Sequence, residues 1–215
     1  MKKNIVITGS SSQLGQILIK SLKKNYLILH SNKKKIKKNF IANFNNKKMT
    51  DNFCDNINSL DKKIDLLIHL PSGKLGIKNF YKYNWNEFLS QINIQLRSLH
   101  ILLSKLIYND KISKKFKLIV ITSDILNEPK SGMVNYYCAK GMLSCYITNF
   151  NNEFKDKFKA FEIRPAMFKS PLLNKIPNFI VEKYAQNKNI LEKKIVRIIN
   201  KIMRDKEKNK IINIK

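Results

Sequence analysis

Short apolar runs alternating with stretches of helical length constrain this chain more than any other feature. The runs are Asn4–Thr8, Tyr26–His30, Phe40–Asn43, Asp65–Leu70, Lys117–Thr122, Phe158–Ile163 and Lys210–Ile214. The helical stretches are Gln13–Lys24, Met49–Leu60, Trp85–Tyr108, Met133–Phe154 and Ile190–Arg204. A strand buried on both faces reads as a continuous apolar run, because neither side meets water. Strands of that kind alternating with helices predict an α/β fold, a doubly wound parallel sheet of about seven strands with helices on both faces. No repeat and no Pro/Gly-rich linker divides the sequence, so residues 1–215 are expected to form one domain. Right-handed crossovers then bring the carboxyl ends of the strands to one edge, where ligands bind. Gly9, His30, Asn43, Gly73 and Ser123 all fall at or just after such ends.

The first of these ends is the most specific. The apolar run Asn4-Ile5-Val6-Ile7 leads into Thr8-Gly9-Ser10-Ser11-Ser12-Gln13-Leu14-Gly15, and then into an amphipathic helix. Two of only six glycines in the chain sit in this turn. A strand, a turn of small residues and a helix N-terminus form an anion site, since backbone N–H groups and the helix dipole face the same point. The expected ligand is the pyrophosphate of a dinucleotide, held by Thr8, Gly9, Ser11, Ser12, Gln13, Leu14 and Gly15.

Ser123, Tyr136 and Lys140 supply a chemistry to go with that ligand. Tyr136 and Lys140 stand four residues apart, one turn of a helix, on one face. Ser123 ends the apolar run Leu118-Ile119-Val120-Ile121, thirteen residues before the tyrosine. A hydroxyl, a phenol and an ammonium can together hold a carbonyl oxygen and protonate it. An ammonium beside the phenol is expected to draw its pKa down from about 10. Tyr137 is not the candidate, because Gly141 stands four residues after it.

With these motifs the chain resembles the short-chain dehydrogenase/reductases, in their compact single-domain, Rossmann-like three-layer form. Thr8, Gly9 and Gly15 match the family's Thr-Gly-x-x-x-Gly-x-Gly opening, with Gln13 in place of the middle glycine. Asp65 to Gly73 is similar to the fourth strand and its Asn-Asn-Ala-Gly turn, which here reads Leu70-Pro71-Ser72-Gly73. Arg164-Pro165-Ala166-Met167 resembles the Pro-Gly turn after strand six. The resemblance implies that Ser123, Tyr136 and Lys140 are catalytic, with Gln95 (alternatively Asn93) in the place of the family's catalytic asparagine. It implies that Tyr136, Lys140, Asn43, Phe44, Leu70, Pro71, Ser72, Gly73, Pro165, Ala166 and Met167 line the cofactor site. It also implies a short substrate lid over residues 167–188 and a homodimer or homotetramer. The string Gln13-Leu14-Gly15 also resembles reductases of nucleotide-linked deoxysugars, a longer branch of the superfamily.

The end of strand two speaks to the cofactor. An NAD-preferring site carries an acid there for the ribose 2′-hydroxyl, whereas this chain reads His30-Ser31-Asn32-Lys33-Lys34-Lys35. The expected cofactor is therefore NADP(H) rather than NAD(H), with Ser31, Asn32 and Lys33 near the 2′-phosphate. Apolar residues of the lid, among them Phe168, Leu172, Leu173 and Ile176, suit an acyl chain. The leading expectation is an NADP-dependent reductase of a carbonyl or alcohol substrate, and specifically of a 3-oxoacyl thioester on an acidic acyl carrier protein. A nucleotide-sugar or small-ketone reductase is the alternative.

Composition bounds the remaining classes. The net charge of +27 invites a nucleic-acid reading, yet only four of the 42 basic residues are arginine. Base and phosphate recognition recruits arginine for its planar fork, and a joint excess of Lys, Asn and Ile fits codon bias. Nucleic acid is therefore not the expected partner. A catalytically impaired nucleotide-binding protein or an RNA-binding protein on the same scaffold is the alternative from another class. The three cysteines, Cys54, Cys138 and Cys145, have no metal-ligand spacing and read as free thiols, so no metal site is expected. No apolar run approaches the roughly 18 to 20 residues of a membrane span, and the short apolar stretch after Lys2 and Lys3 falls short of the about 7 to 15 of a signal peptide. A cytoplasmic protein is the expectation.

Overall fold

A computed structural model describes residues 2–32, 39–155 and 157–214. Seven parallel strands form one sheet: β1 (Asn4–Thr8), β2 (Tyr26–Ser31), β3 (Asn39–Ile41), β4 (Ile64–His69), β5 (Ile112–Ile121), β6 (Lys159–Pro165) and β7 (Ile211–Ile214). Their order is β3-β2-β1-β4-β5-β6-β7, so the chain winds outward from β1 in both directions. The point where the winding reverses lies between β1 and β4. The doubly wound parallel sheet expected from the sequence is what the chain forms.

Alternate strand residues feed two cores. Val6, Leu67, Leu118 and Val120 point to one face and pack with α2 (Lys47–Asn58), α4 (Ser98–Tyr108) and α5 (Val134–Glu153). Ile5, Ile7, Leu66, Ile68, Ile119 and Ile121 point to the other and pack with α1 (Gln13–Leu22) and α7 (Lys188–Met203). Neighbours such as Leu67 and Ile68 are both wholly buried, on opposite sides. Burying each such side chain contributes roughly 1.5 to 3 kcal/mol. This is why the strands tolerate so little polarity along their central residues.

Most elements differ from their expected bounds by one or two residues at an end, and two depart further. β5 starts at Ile112 rather than Lys117, because Ile64 pairs with Ile112 and Leu66 with Lys117, leaving extra residues looped between them. Phe116, within that loop, fills the core beneath α4 and α5. The expected single helix over Trp85–Tyr108 is interrupted. α3 (Trp85–Ile92) passes into one wide π turn over Asn93–Arg97 before α4 begins. Such turns shift the side-chain register and concentrate at functional sites. Between β6 and α7 lie a short turn, Pro171–Leu173, and α6 (Asn178–Tyr184). No helix among the described residues is long and apolar enough to cross a membrane.

Candidate active site

A cleft of about 1090 Å³ opens at the carboxyl edge of the sheet. One end is the β1–α1 turn, of which Gly9, Ser11, Ser12, Gln13 and Leu14 line the cleft. The turn is tightly determined. Gly9 has a φ of 71°, a left-handed conformation that favours glycine. Ser12 caps α1 by accepting from the Gly15 N–H at 3.1 Å. The Ser10 N–H and hydroxyl both donate to the His30 carbonyl, at 2.8 and 2.7 Å. The first N–H groups of α1 have no carbonyl partner within the helix, and Gln13 and Leu14 of this first turn line the cleft. Gly15 does not line the cleft. It lies behind the turn, where a Cβ would stand 2.6 Å from the Ser10 carbonyl oxygen. Gln13, which replaces a glycine of the family pattern, sends its amide to Glu192 of α7 at 2.6 Å.

Thr8 and Ser31 are wholly buried supports rather than lining residues. The Thr8 hydroxyl meets His69 Nδ1 at 2.9 Å, and His69 Nε2 meets the Gln95 carbonyl at 2.8 Å. The His69 ring thus ties β1 to the π turn, and burial pushes its pKa down to about 3. His30 does a similar task at the end of β2. It accepts from the Gly9 N–H at Nδ1 (3.1 Å), and its Nε2 meets the Ala42 carbonyl at 2.9 Å. Burial lowers its pKa to about 4, so near neutrality the ring is uncharged with its proton on Nε2. It lies flat on Phe44, with ring centroids 3.9 Å apart. His30, Asn32, Asn43 and Phe44 all line this end of the cleft. Lys33, expected beside them, lies outside the described residues.

Leu70, Pro71 and Ser72 line the floor, and Pro165, Ala166 and Met167 the opposite side. Gly73 is displaced from the cleft and pressed on Gln91, where a Cβ would meet Oε1 at 2.6 Å. Gln95 also departs from its expected place. Its side chain is wholly buried, and Nε2 donates to Gln91 Oε1 at 2.8 Å. The π turn carries Ile94, not Gln95 or Asn93, to the cleft wall. The Gln95 amide therefore does not reach the cleft wall that carries Ser123, Tyr136 and Lys140.

Ser123, Tyr136 and Lys140 do converge on one wall. The Ser123 side chain caps the short turn Asp124–Leu126 by accepting from the Ile125 N–H, and it shares a hydrogen bond with the Tyr136 phenol. Lys140 Nζ donates to the Ile121 carbonyl at 3.0 Å and stands 5.6 Å from the centroid of the Tyr136 ring. The expected lowering of the phenol pKa is not found. Burial raises it to about 12, opposed by the Ser123 hydrogen bond and reinforced by the Asp124 charge. Burial also pushes the Lys140 ammonium down to about 7, while the Glu162 charge pulls it up. At both groups desolvation outweighs what opposes it, the Ser123 hydroxyl at Tyr136 and the Glu162 charge at Lys140. Near neutrality the phenol is therefore a protonated hydrogen-bond donor, and the amine is poised between its two forms.

The lysine shift has a consequence for stability. Its folded pKa lies below its unfolded one, so the unfolded chain binds more protons between about pH 7 and 10.5, and the native fold gains from this group as pH rises. Lys140→Met removes the slope. Without ligand, the stability of the native protein relative to Lys140→Met is expected to grow by a few kcal/mol from pH 7 to pH 10. Denaturant titrations at the two pH values check this, and a constant difference would count against a desolvated Lys140.

Leu75, Ile77, Ile125 and Met133 meet Leu173, Ile176 and Phe179 across the far end of the cleft. Lys130 and Lys183 stand at this end, 5.3 and 5.5 Å from the ring of Tyr184. Ile94, Lys130 and Met133 also line the cleft and were not legible as site residues in the sequence. His30, placed at the ligand edge by its position at the end of an apolar run, does line the cleft.

No protein-family profile matches the chain, and no curated protein matches it. Solved structures do. A short-chain dehydrogenase family protein from Francisella tularensis has a TM-score of 0.83 at 13% identity, covering 100% of this chain and 97% of that one. A 3-ketoacyl-(acyl-carrier-protein) reductase from Brucella melitensis, complexed with NADH, has a TM-score of 0.83 at 14% identity, covering 98% of this chain and 96% of that one. A short-chain dehydrogenase from Burkholderia cenocepacia in complex with NADP has a TM-score of 0.79 at 12% identity, covering 99% and 96%. At such identities the likeness is one of fold. The chain has the fold of the short-chain dehydrogenases over essentially its whole length.

Proposed function

We propose that this chain is an NADP(H)-dependent oxidoreductase of the short-chain dehydrogenase/reductase type that reduces a carbonyl group. The observation that carries the reading is the meeting of Ser123, Tyr136 and Lys140 on one wall of a cleft that begins at a glycine turn and a helix N-terminus. The site fits a dinucleotide. The small-residue turn admits a pyrophosphate close to the backbone, and behind it a Cβ at Gly15 would collide with the Ser10 backbone. Gly9, Ser11, Ser12, Gln13 and Leu14 hold the phosphates in this reading, supported from behind by Thr8, Gly15 and Ser31. Asn32, Asn43 and Phe44 take the adenosine half. Leu70, Pro71, Ser72, Pro165, Ala166 and Met167 flank the other half. A nicotinamide bound there supplies or accepts the hydride.

The protein's own groups do the rest. The Tyr136 phenol donates its proton to the substrate oxygen, and its high pKa keeps that proton in place until the oxygen becomes basic. The Ser123 hydroxyl holds the same oxygen. Lys140 adds positive charge behind the phenol. A donor protonated at neutral pH suits reduction better than oxidation.

The absence of an acid at His30, Ser31 and Asn32 favours NADP(H), since nothing there repels a 2′-phosphate. The apolar far end suits an acyl chain, and the rim lysines Lys130 and Lys183 suit a phosphate-bearing carrier. A 3-oxoacyl thioester on an acidic carrier protein is thus the proposed substrate, with residues 167–188 as a lid on a single domain of residues 1–215. Initial rates with acetoacetyl thioester, simple ketones and nucleotide sugars, each with NADPH and NADH, test this. Thioester reduction at least tenfold faster with NADPH is expected. Faster turnover with NADH overturns the cofactor assignment, and preference for a sugar overturns the substrate.

A further inference from the structure

A charged pair lies behind the cleft with no part in the chemistry above. Glu162 is wholly buried in the middle of β6, paired in register with Val120 of β5. Its Oε1 accepts from the Thr122 hydroxyl at 2.6 Å and from Arg164 Nε at 2.7 Å. Its Oε2 accepts from the Ser144 hydroxyl at 2.8 Å and from an Arg164 terminal nitrogen at 3.3 Å. The same guanidinium donates to Ser144 Oγ at 2.9 Å and to Asn127 Oδ1 at 3.0 Å. These partners bracket the candidate catalytic groups. Thr122 immediately precedes Ser123, and Asn127 follows the turn that Ser123 caps. Ser144 stands one helical turn beyond Lys140, on the same face of α5.

We propose that Glu162 and Arg164 are positioning residues that clamp the strand end carrying Ser123 to the turn of α5 carrying Lys140. The proposal rests on the oxidoreductase reading for its effect on turnover. Stability alone gives little reason for the pair. A buried ion pair commonly contributes no more than well-packed apolar residues of the same volume, whereas breaking one is costly. What it adds is directional. Two carboxylate oxygens and a planar fork accept only one arrangement of β5, β6 and α5. The carboxylate also places a negative charge near the Lys140 ammonium and holds its proton against burial. The other titratable and charged groups about Lys140 are Arg164 on β6, His69 on β4, Tyr136 on its own helix and Asp124 beyond the phenol.

Glu162→Gln keeps the shape and removes the charge. Two readouts are taken on full-length protein: steady-state kinetics, and the titration of Lys140 without cofactor from the 13Cε shift of labelled lysine, assigned by its loss in Lys140→Met. Glu162→Gln is expected to lower kcat at least tenfold with KM within about threefold, and to move the Lys140 titration down by about one unit. Arg164→Gln leaves the carboxylate uncompensated and is expected to move that titration up. General loosening of the fold would not produce opposite signs. An unmoved titration with unchanged kcat in Glu162→Gln overturns the clamp. Opposite shifts in a native protein that reduces no carbonyl overturn the oxidoreductase reading and leave the Glu162–Lys140 coupling standing. Should Glu162→Gln not fold, Ser144→Ala removes a single hydroxyl from the clamp. It is expected to lower kcat several-fold, and an unchanged kcat there overturns the proposal.

Discussion

Tyr136→Phe is expected to lower kcat and kcat/KM together by at least about a hundredfold, the lower end of a positioned general acid's contribution. NADPH binding should change little. The phenol oxygen is the only atom removed, and its protein partner is the Ser123 hydroxyl. That hydroxyl keeps its hydrogen bond from the Ile125 N–H. The lost group is a buried hydroxyl whose neutral form burial already favours, so the fold has no charge to lose with it. Comparable falls in both kinetic parameters would mean that the interaction forms in the transition state and not on binding. Stopped-flow NADPH binding together with steady-state rates measures both. Retention of near-native turnover would remove Tyr136 from the chemistry and, with it, the assignment of Ser123 and Lys140.

Gly15→Ala is expected to weaken NADPH binding by one to two orders of magnitude. The added Cβ would lie 2.6 to 2.7 Å from the carbonyl oxygen, carbonyl carbon and Cα of Ser10. All three are backbone atoms, so no side chain can rotate away. Overpacking of this kind costs typically 1 to 3 kcal/mol, and 1.4 kcal/mol is tenfold in affinity. The displacement would be felt where Ser10 donates twice to the His30 carbonyl, the contact that joins the turn to β2. Ser11 and Ser12, which face the cleft, move with it. Isothermal titration with NADPH checks the affinity, and circular dichroism checks that the sheet persists. Unaltered affinity would mean that the turn is not the dinucleotide's seat.

Most of the architecture was legible because parallel strands must be apolar along their buried length. The run Asn4–Thr8 coincides with β1, and the run Lys210–Ile214 differs from β7 only at Lys210, since runs dominated by Ile, Val and Leu leave little choice of register. The first half of β5 is hidden in the sequence because Ser113, Lys114 and Lys115 interrupt its apolar pattern where the strand bulges. The π turn was invisible for another reason. One extra residue per turn alters the backbone but leaves the residues of Trp85–Tyr108 with the same helical preferences. That single turn is what took Gln95 away from the cleft. The convergence of Ser123, Tyr136 and Lys140 was legible from spacing along one strand and one helix. Their protonation was not, because a pKa set by burial depends on atoms contributed by β4, β5 and β6. Glu162 left a trace, an acid inside the run Ala160-Phe161-Glu162-Ile163, but its partners lie on three elements.

The His30 ring has a consequence for redesign of coenzyme choice. The usual route, an aspartate at the end of the second strand, would here delete the acceptor that latches Gly9 and the aromatic plate beneath Phe44. Such an exchange would trade recognition of one ribose hydroxyl for collapse of the phosphate turn. A new carboxylate would instead have to be introduced two positions later, at solvent-exposed Asn32, which borders the same corner of the cleft.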